Sequence, residues 1–268
     1  MVRLIESNGS SALSKTESSL AELPPVASDL TVSDLRRALS AGWADFRAYP
    51  AFGLLFASIF VISGLALAYA LVERGEVFWV IPAAAGFPLI APFTAVGLYE
   101  VSRRREAGLE LNWSKVLRAL KGRGDEQILS MGLLLFVAFG FWIIIAHTVF
   151  SIFVVEAGAG SESLAFLFTP TGLTMLSVGS IIGALIALVF YVATVISLPM
   201  LVDRKVSFIT AIITSIRAFR ANGTVLLGWA ILIAAVLFAA MVPLFIGLLL
   251  GLPVLGHATW HLYRRIVA

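Results

Sequence analysis

The chain has 268 residues, of which 60% are hydrophobic and 13% charged. Its mean hydropathy is +0.98, whereas a soluble domain is about 45–50% apolar and about 25% charged. That excess is too large for a soluble core and excludes a water-soluble enzyme, a disordered chain and a nucleic-acid module. There is no cysteine, hence no disulfide, iron–sulfur cluster, Cys-ligated zinc or thiol nucleophile. The formal charge of +3 says less than the placement of the basic residues.

Residues 1–30 are rich in serine and contain scattered acids and the Pro24–Pro25 pair. Their apolar residues show no period, so they predict a disordered polar cytoplasmic tail. No apolar h-region follows the start, so a signal peptide is not expected. The membrane domain is then 31–268.

Thr31–Tyr49 reads as an amphipathic helix with Val32, Leu35, Leu39, Trp43 and Phe46 at three- and four-residue steps. Thr31 and Asp34 have capping-box spacing, with Asp in place of Glu. A hydrocarbon core of about 30 Å needs about 20 apolar residues per helical crossing. Residues 52–72 supply one such run and 77–99 a second, interrupted by Pro82, Pro88 and Pro92. Residues 128–155 make a third and 173–202 a fourth. The stretch Val225–Leu262 would be about 57 Å long as one helix, too long for one crossing. It fits two spans, 225–242 and 244–262, joined by a turn near Met241–Pro243, or one span plus a re-entrant piece.

Charge decides between these. With the N-terminus inside, the inner side receives Arg36, Arg37, Arg47, the run Arg103–Arg105, Lys115, Arg118, Lys121, Arg123, Arg204, Lys205, Arg217, Arg220, Arg264 and Arg265. Only Arg74 falls in an outer loop. This positive-inside pattern requires an even number of spans. The expected fold is an all-α polytopic bundle of six transmembrane helices, both termini cytoplasmic.

Two further segments, Asn112–Lys121 and Ser207–Arg220, also read as amphipathic helices, with Asn112 and Ser207 at their starts. Each of the three precedes a pair of spans, and the pairs exit through "GLYEVSRR", "LPMLVDRK" and "WHLYRR". The order suggests three degenerate units, each an in-plane helix followed by a two-span hairpin. Such helices place their apolar face in the headgroup layer and their Arg and Lys against anionic lipid.

The motifs "AGWADFRAYPAFGLLF", "PLIAPFTAVGLYEVSRRREAG", "LPMLVDRKVS" and "VLGHATWHLYRRIV" resemble a family of bacterial multi-pass membrane proteins described only as domain of unknown function 2189. The resemblance runs from about Leu35 to Val267. It implies an integral inner-membrane protein and carries no activity, substrate or residue role.

Candidate chemistry is sparse. His257 and His261 share a helix face at i and i+4, a spacing that can hold a metal or a haem or serve interhelical hydrogen bonds. His147 lies roughly 20 Å deeper by helical rise and cannot join them. Glu100 and Asp203 end their spans beside Arg103, Arg104 and Arg204. They read as interfacial ion pairs, or as carboxylates at the mouth of a cavity. Pro82, Gly86, Pro88 and Pro92 mark either packing kinks or a broken-helix ligand site. No Asp, Glu, Lys or Arg falls at the centre of a predicted span, which weakens an ion-coupled pump. No nucleophile–base motif appears. We therefore expect a non-catalytic accessory, scaffold or assembly subunit of an inner-membrane complex. Its partners would be anionic headgroups and other membrane subunits, with no nucleic acid and no resident cofactor. The alternatives are a transporter or channel for a small or lipid-like solute, and a haem- or metal-binding redox subunit through His257 and His261.

Overall fold

A computed structural model of the chain describes residues 23–75, 79, 91–118, 127–157 and 164–267. Among these residues the regular structure is entirely helical. The helices are α1 (Val32–Ala48), α2 (Pro50–Glu73), α3 (Ala91–Glu106), α4 (Trp113–Arg118), α5 (Gln127–Ala157), α6 (Pro170–Thr194), α7 (Ser197–Asp203), α8 (Phe208–Ala221), α9 (Gly223–Met241) and α10 (Leu248–Ile266). A short 3-10 turn, Leu164–Phe168, precedes α6.

Four stretches are long and apolar enough to cross a bilayer: Pro50–Glu73, Gln127–Phe153, Pro170–Asp203 and Gly223–Met241. Only 17% to 28% of their most apolar windows is buried inside the protein. Bulky side chains such as Ile62, Phe136, Ile144 and Val189 point outward. In water this surface would be prohibitive at roughly 25 cal/mol per Å²; in lipid it costs nothing.

The fourth expected span is two helices. Pro199 lacks an N–H and its ring crowds the carbonyl of Val195, four residues back, and the axis breaks at Val195–Ile196 between α6 and α7. Ser215 of α8 fills the gap. Its hydroxyl donates to the Val192 carbonyl at 2.6 Å, and its oxygen accepts from the Ile196 N–H at 3.3 Å. These are the two backbone groups that a continuous helix would have paired with each other.

The last apolar stretch folds as an antiparallel pair. A turn follows Met241, with Leu244 and Phe245 both at positive φ (51° and 64°). Gly247 lies so close to Ala240 that a Cβ would come within 2.7 Å of its backbone. Gly251 faces Val236 and Ala240. At the other end Ala27 bridges the start of α9 and the end of α10: its N–H donates to the Ile266 carbonyl at 2.9 Å, and its carbonyl accepts from Asn222 at 2.7 Å.

That contact corrects the tail boundary. Residues 23–30 form an extended segment held on the fold, rather than the end of a disordered tail. Besides the Ala27 bonds, Leu30 N–H donates to Asn222 Oδ1 at 3.1 Å, Arg217 reaches the Pro24 carbonyl, and Arg265 pairs with Asp29 at 3.0 Å. Residues 1–22 lie outside the described residues.

The helices that precede the hairpins have the expected caps. Thr31 donates through its N–H and hydroxyl to Asp34 at 2.8 and 2.7 Å. Asn112 accepts from the Lys115 N–H and Ser207 from the Thr210 N–H. Their docking follows small residues. α1 buries Asp34, Leu35, Ala38, Gly42 and Asp45, while Val32 and Trp43 stay exposed. α8 buries Ala211, Thr214, Ser215 and Ala218, while Ile209 stays exposed. Small faces allow close approach: a Cβ on Gly42 would sit 2.6 Å from Ala258 N and 2.7 Å from the Val254 carbonyl of α10.

Packing is uneven. The densest core lies where α1, α3, α7 and the second half of α10 meet, around Val101, Leu198, Met200, Trp260, Leu262 and Tyr263, each at most 2% exposed. Away from that end the hairpins are loosely joined.

Candidate functional site

The dense end contains a buried polar chain built from three helices. Asp45, on the small face of α1, is 3% exposed. Its Oδ2 accepts from Ser102 Oγ of α3 at 2.5 Å and lies 2.8 Å from His261 Nε2 of α10. Its Oδ1 accepts from Arg105. Ser102 Oγ is in turn 2.7 Å from His257 Nδ1. The serine has one proton, so while it serves the carboxylate the imidazole is the donor in this last contact. His257 Nε2 is fully buried and has no hydrogen-bond partner among the described residues. Burial pushes the Asp45 carboxyl up, but the bonds from His261, Ser102 and Arg105, with the His261 charge, outweigh it and bring it down to about 2.

A second cluster ties the three helix exits together. Glu100 accepts both Arg103 Nε and Nη2 at 2.7 Å in a fork and Arg104 Nε at 2.7 Å. The i, i+4 pair expected from the sequence is present, and the stronger bidentate partner is the residue between. Asp203 accepts from the Tyr263 hydroxyl at 2.8 Å and from Arg264 at 3.3 Å. Glu106 accepts from the Trp260 indole N–H at 3.0 Å and from Arg264 Nε at 3.1 Å. Arg265 reaches Asp34 of α1 at 3.2 Å. The exits "GLYEVSRR", "LPMLVDRK" and "WHLYRR" thus converge on one network.

Of the residues singled out in the sequence, His257, His261, Glu100 and Asp203 all lie at this end. His147 lies elsewhere, stacked on Trp79 with centroids 5.1 Å apart. Pro82, Gly86 and Pro88 lie outside the described residues, and Pro92 falls in the first turn of α3. Asp45 and Ser102 are not among the residues the sequence singles out. The available signal was an acid on the small-residue face of α1, in register with Leu35, Ala38 and Gly42.

Chemically the chain is not a nucleophile relay. In a hydrolytic triad the imidazole lies between hydroxyl and carboxylate; here the hydroxyl lies between imidazole and carboxylate, and Ser102 is fully buried. The described residues hold no group of three or more His, Cys, Asp or Glu able to hold a metal. His261 Nε2, a ligating atom, already faces Asp45.

Above this end, an 830 Å³ cleft lies between the α5–α6 pair and the α9–α10 pair. Its walls are almost wholly apolar, and α3 contributes Ala95 and Tyr99.

Helices that leave most of their apolar surface uncovered, joined at one end by a cationic polar network, define a polytopic integral membrane protein. Residues 80–203 match the model of a family described as "Predicted integral membrane protein (DUF2189)", a family of unknown function. This is the family that the four motifs resemble. The matched range contains the second motif and most of the third, and leaves out the first and fourth. No curated protein and no solved structure matches the chain.

Proposed function

We propose that the protein is a six-span, non-catalytic component of the bacterial inner membrane, with both termini cytoplasmic, acting as an accessory, scaffold or assembly subunit. Two segments add to the four long apolar helices. They are α10, antiparallel to α9, and the apolar run that leads into α3, which packs against α2. The basic exits of α3, α7 and α10 then share the cytoplasmic face, where α1, α4 and α8 lie in the headgroup layer against anionic lipid. The observation that carries the non-catalytic role is the polar network itself. Its acids are bonded inside the fold, and its only serine–histidine–aspartate grouping among the described residues is buried in an order that cannot relay a proton to a nucleophile.

Because the chain has no cysteine, single cysteines report topology directly. The Ser10→Cys and Ala268→Cys variants should be protected from an impermeant maleimide in intact cells, and Ser161→Cys should be labelled. Labelling of positions 10 and 268 from opposite faces overturns the six-span layout. Cross-linking in membranes before gentle extraction should shift the chain into a discrete larger complex; a chain that only ever runs alone overturns the accessory role.

One observation favours the second reading, a carrier for a lipid-like solute: the cleft is apolar and opens sideways. Transport of the solute would appear as exchange of a labelled lipid between leaflets of reconstituted vesicles.

A further inference from the structure

We propose that the cleft between the α5–α6 and α9–α10 pairs is a binding site for the acyl chains of a bilayer phospholipid. This rests on the membrane-spanning part of the reading above, and not on transport or on an accessory role.

The cleft exists because the facing positions are small. Gly183 of α6 is pressed against Trp142 of α5, where a Cβ would fall 2.8 Å from the indole ring. That contact holds α5 and α6 together. Farther along, Ala187 of α6 and Ala230 and Ala234 of α9 line the cleft, and an alanine side chain ends at its Cβ. Volume is left between two otherwise tight hairpins.

Its dimensions suit a lipid tail. Along α6 the wall runs from Met175 to Val195 at the helix end, about 30 Å at helical rise, which is the thickness of the hydrocarbon layer. Its mouth is flanked by Ile181 and Leu185 of α6 and by Ile231 and Phe238 of α9. All four line the cleft, and all are at least half exposed. Both helices are long and apolar enough to span a bilayer. The opening therefore faces lipid rather than water.

The lining offers a polar ligand little. The Tyr191 hydroxyl is committed to the Leu226 carbonyl at 2.7 Å, Thr194 to the Phe190 carbonyl at 2.7 Å, and Thr259 to the Leu255 carbonyl at 2.8 Å; the Tyr99 and Ser180 hydroxyls are the other polar groups of an otherwise apolar wall. A space of this size left unfilled would forfeit dispersion contacts along its whole wall. Water entering it would find almost no hydrogen-bond partner. The molecule present at the mouth in the highest concentration, and apolar along the whole wall, is the phospholipid chain.

The test uses the full chain reconstituted in vesicles of phosphatidylethanolamine and phosphatidylglycerol, then extracted gently for native mass spectrometry. The wild type should retain at least one phospholipid as detergent is stripped, and the headgroup mass tells which. Ala234→Trp fills the cleft and should lower that retention about tenfold, while Phe136→Trp, on an exposed face of α5 outside the cleft, should leave it unchanged. A second readout needs no cleft-filling variant. Phospholipids brominated on their chains should quench the Trp142 emission, seen as the quenchable component lost in Trp142→Phe. Equal retention in all three proteins, with Ala234→Trp melting as the wild type does, overturns the proposal. So does an unquenched Trp142. A disulfide forming between copies that carry Ala234→Cys also overturns it, by making a second copy the occupant. Topology labelling reads the span layout separately, so a failure there is distinguishable from a failure here.

Discussion

Replacing Asp45 by alanine tests whether the polar chain holds the helix ends together. The carboxylate accepts from Ser102, His261 and Arg105 across three helices. Hydrogen bonds to a charged group contribute about 1.5–3 kcal/mol each. The loss is partly recovered, because Arg105 and His261 keep 38% and 25% of their side-chain surface exposed and can rehydrate. Ser102 cannot, since it is fully buried. The expected net cost is that of breaking a buried pair, about 3–5 kcal/mol. At about 2–4 °C per kcal/mol for a chain of this size, the melting midpoint should fall by about 6–20 °C. Thermal unfolding in one detergent, followed by intrinsic fluorescence, reads this. A double-mutant cycle with His261→Ala should show the two costs to be less than additive, since each removes the same contact. A midpoint within about 2 °C of the wild type, or additive effects, would refute the network as a structural tie.

Ser215→Val should destabilise by about 1–3 kcal/mol, because it orphans the Ile196 N–H and the Val192 carbonyl at the break between α6 and α7; Ser215→Thr, keeping the hydroxyl, should recover part of that. Gly42→Ala should cost about 1–3 kcal/mol or undock α1, since the added Cβ meets backbone of α10 rather than a flexible side chain; hydrogen exchange confined to α1 would show the undocking. On acidification, Asp45 behaves as a carboxyl whose folded pKa is about 2 against an ordinary value of 3.8. Its contribution, roughly 2 kcal/mol, is complete above about pH 4 and is lost as pH falls from there toward 2. Wild-type stability relative to Asp45→Asn should follow that course, and a difference already vanishing between about pH 7 and pH 5 would contradict it.

Much of the architecture was readable because hydrocarbon imposes a length and a composition on any helix that crosses it. The apolar runs at 52–72 and 128–155, the capped helices after Thr31, Asn112 and Ser207, and the turn after Met241 all follow from local pattern. Glu100 with Arg104 was legible because i, i+4 neighbours are fixed by helical geometry. Asp45 with His261, Ser102 with His257, and Tyr263 with Asp203 were not. Each joins residues from separate helices, and which faces meet depends on Gly42 letting α1 sit against the α10 backbone. The tail boundary falls elsewhere than expected for the same reason, since residues 23–30 are ordered by Asn222 and Ile266, far along the chain.

The sequence by itself determined that this is a bundle of apolar helices with its cations gathered at the helix exits, because period, length and charge are local properties of the chain. Only the tertiary structure decided which helix faces touch. Close packing at Ala38 and Gly42 of α1 drew the exits into one polar network at one end, and other small residues, Ala187, Ala230 and Ala234, line the apolar cleft between the hairpins above it.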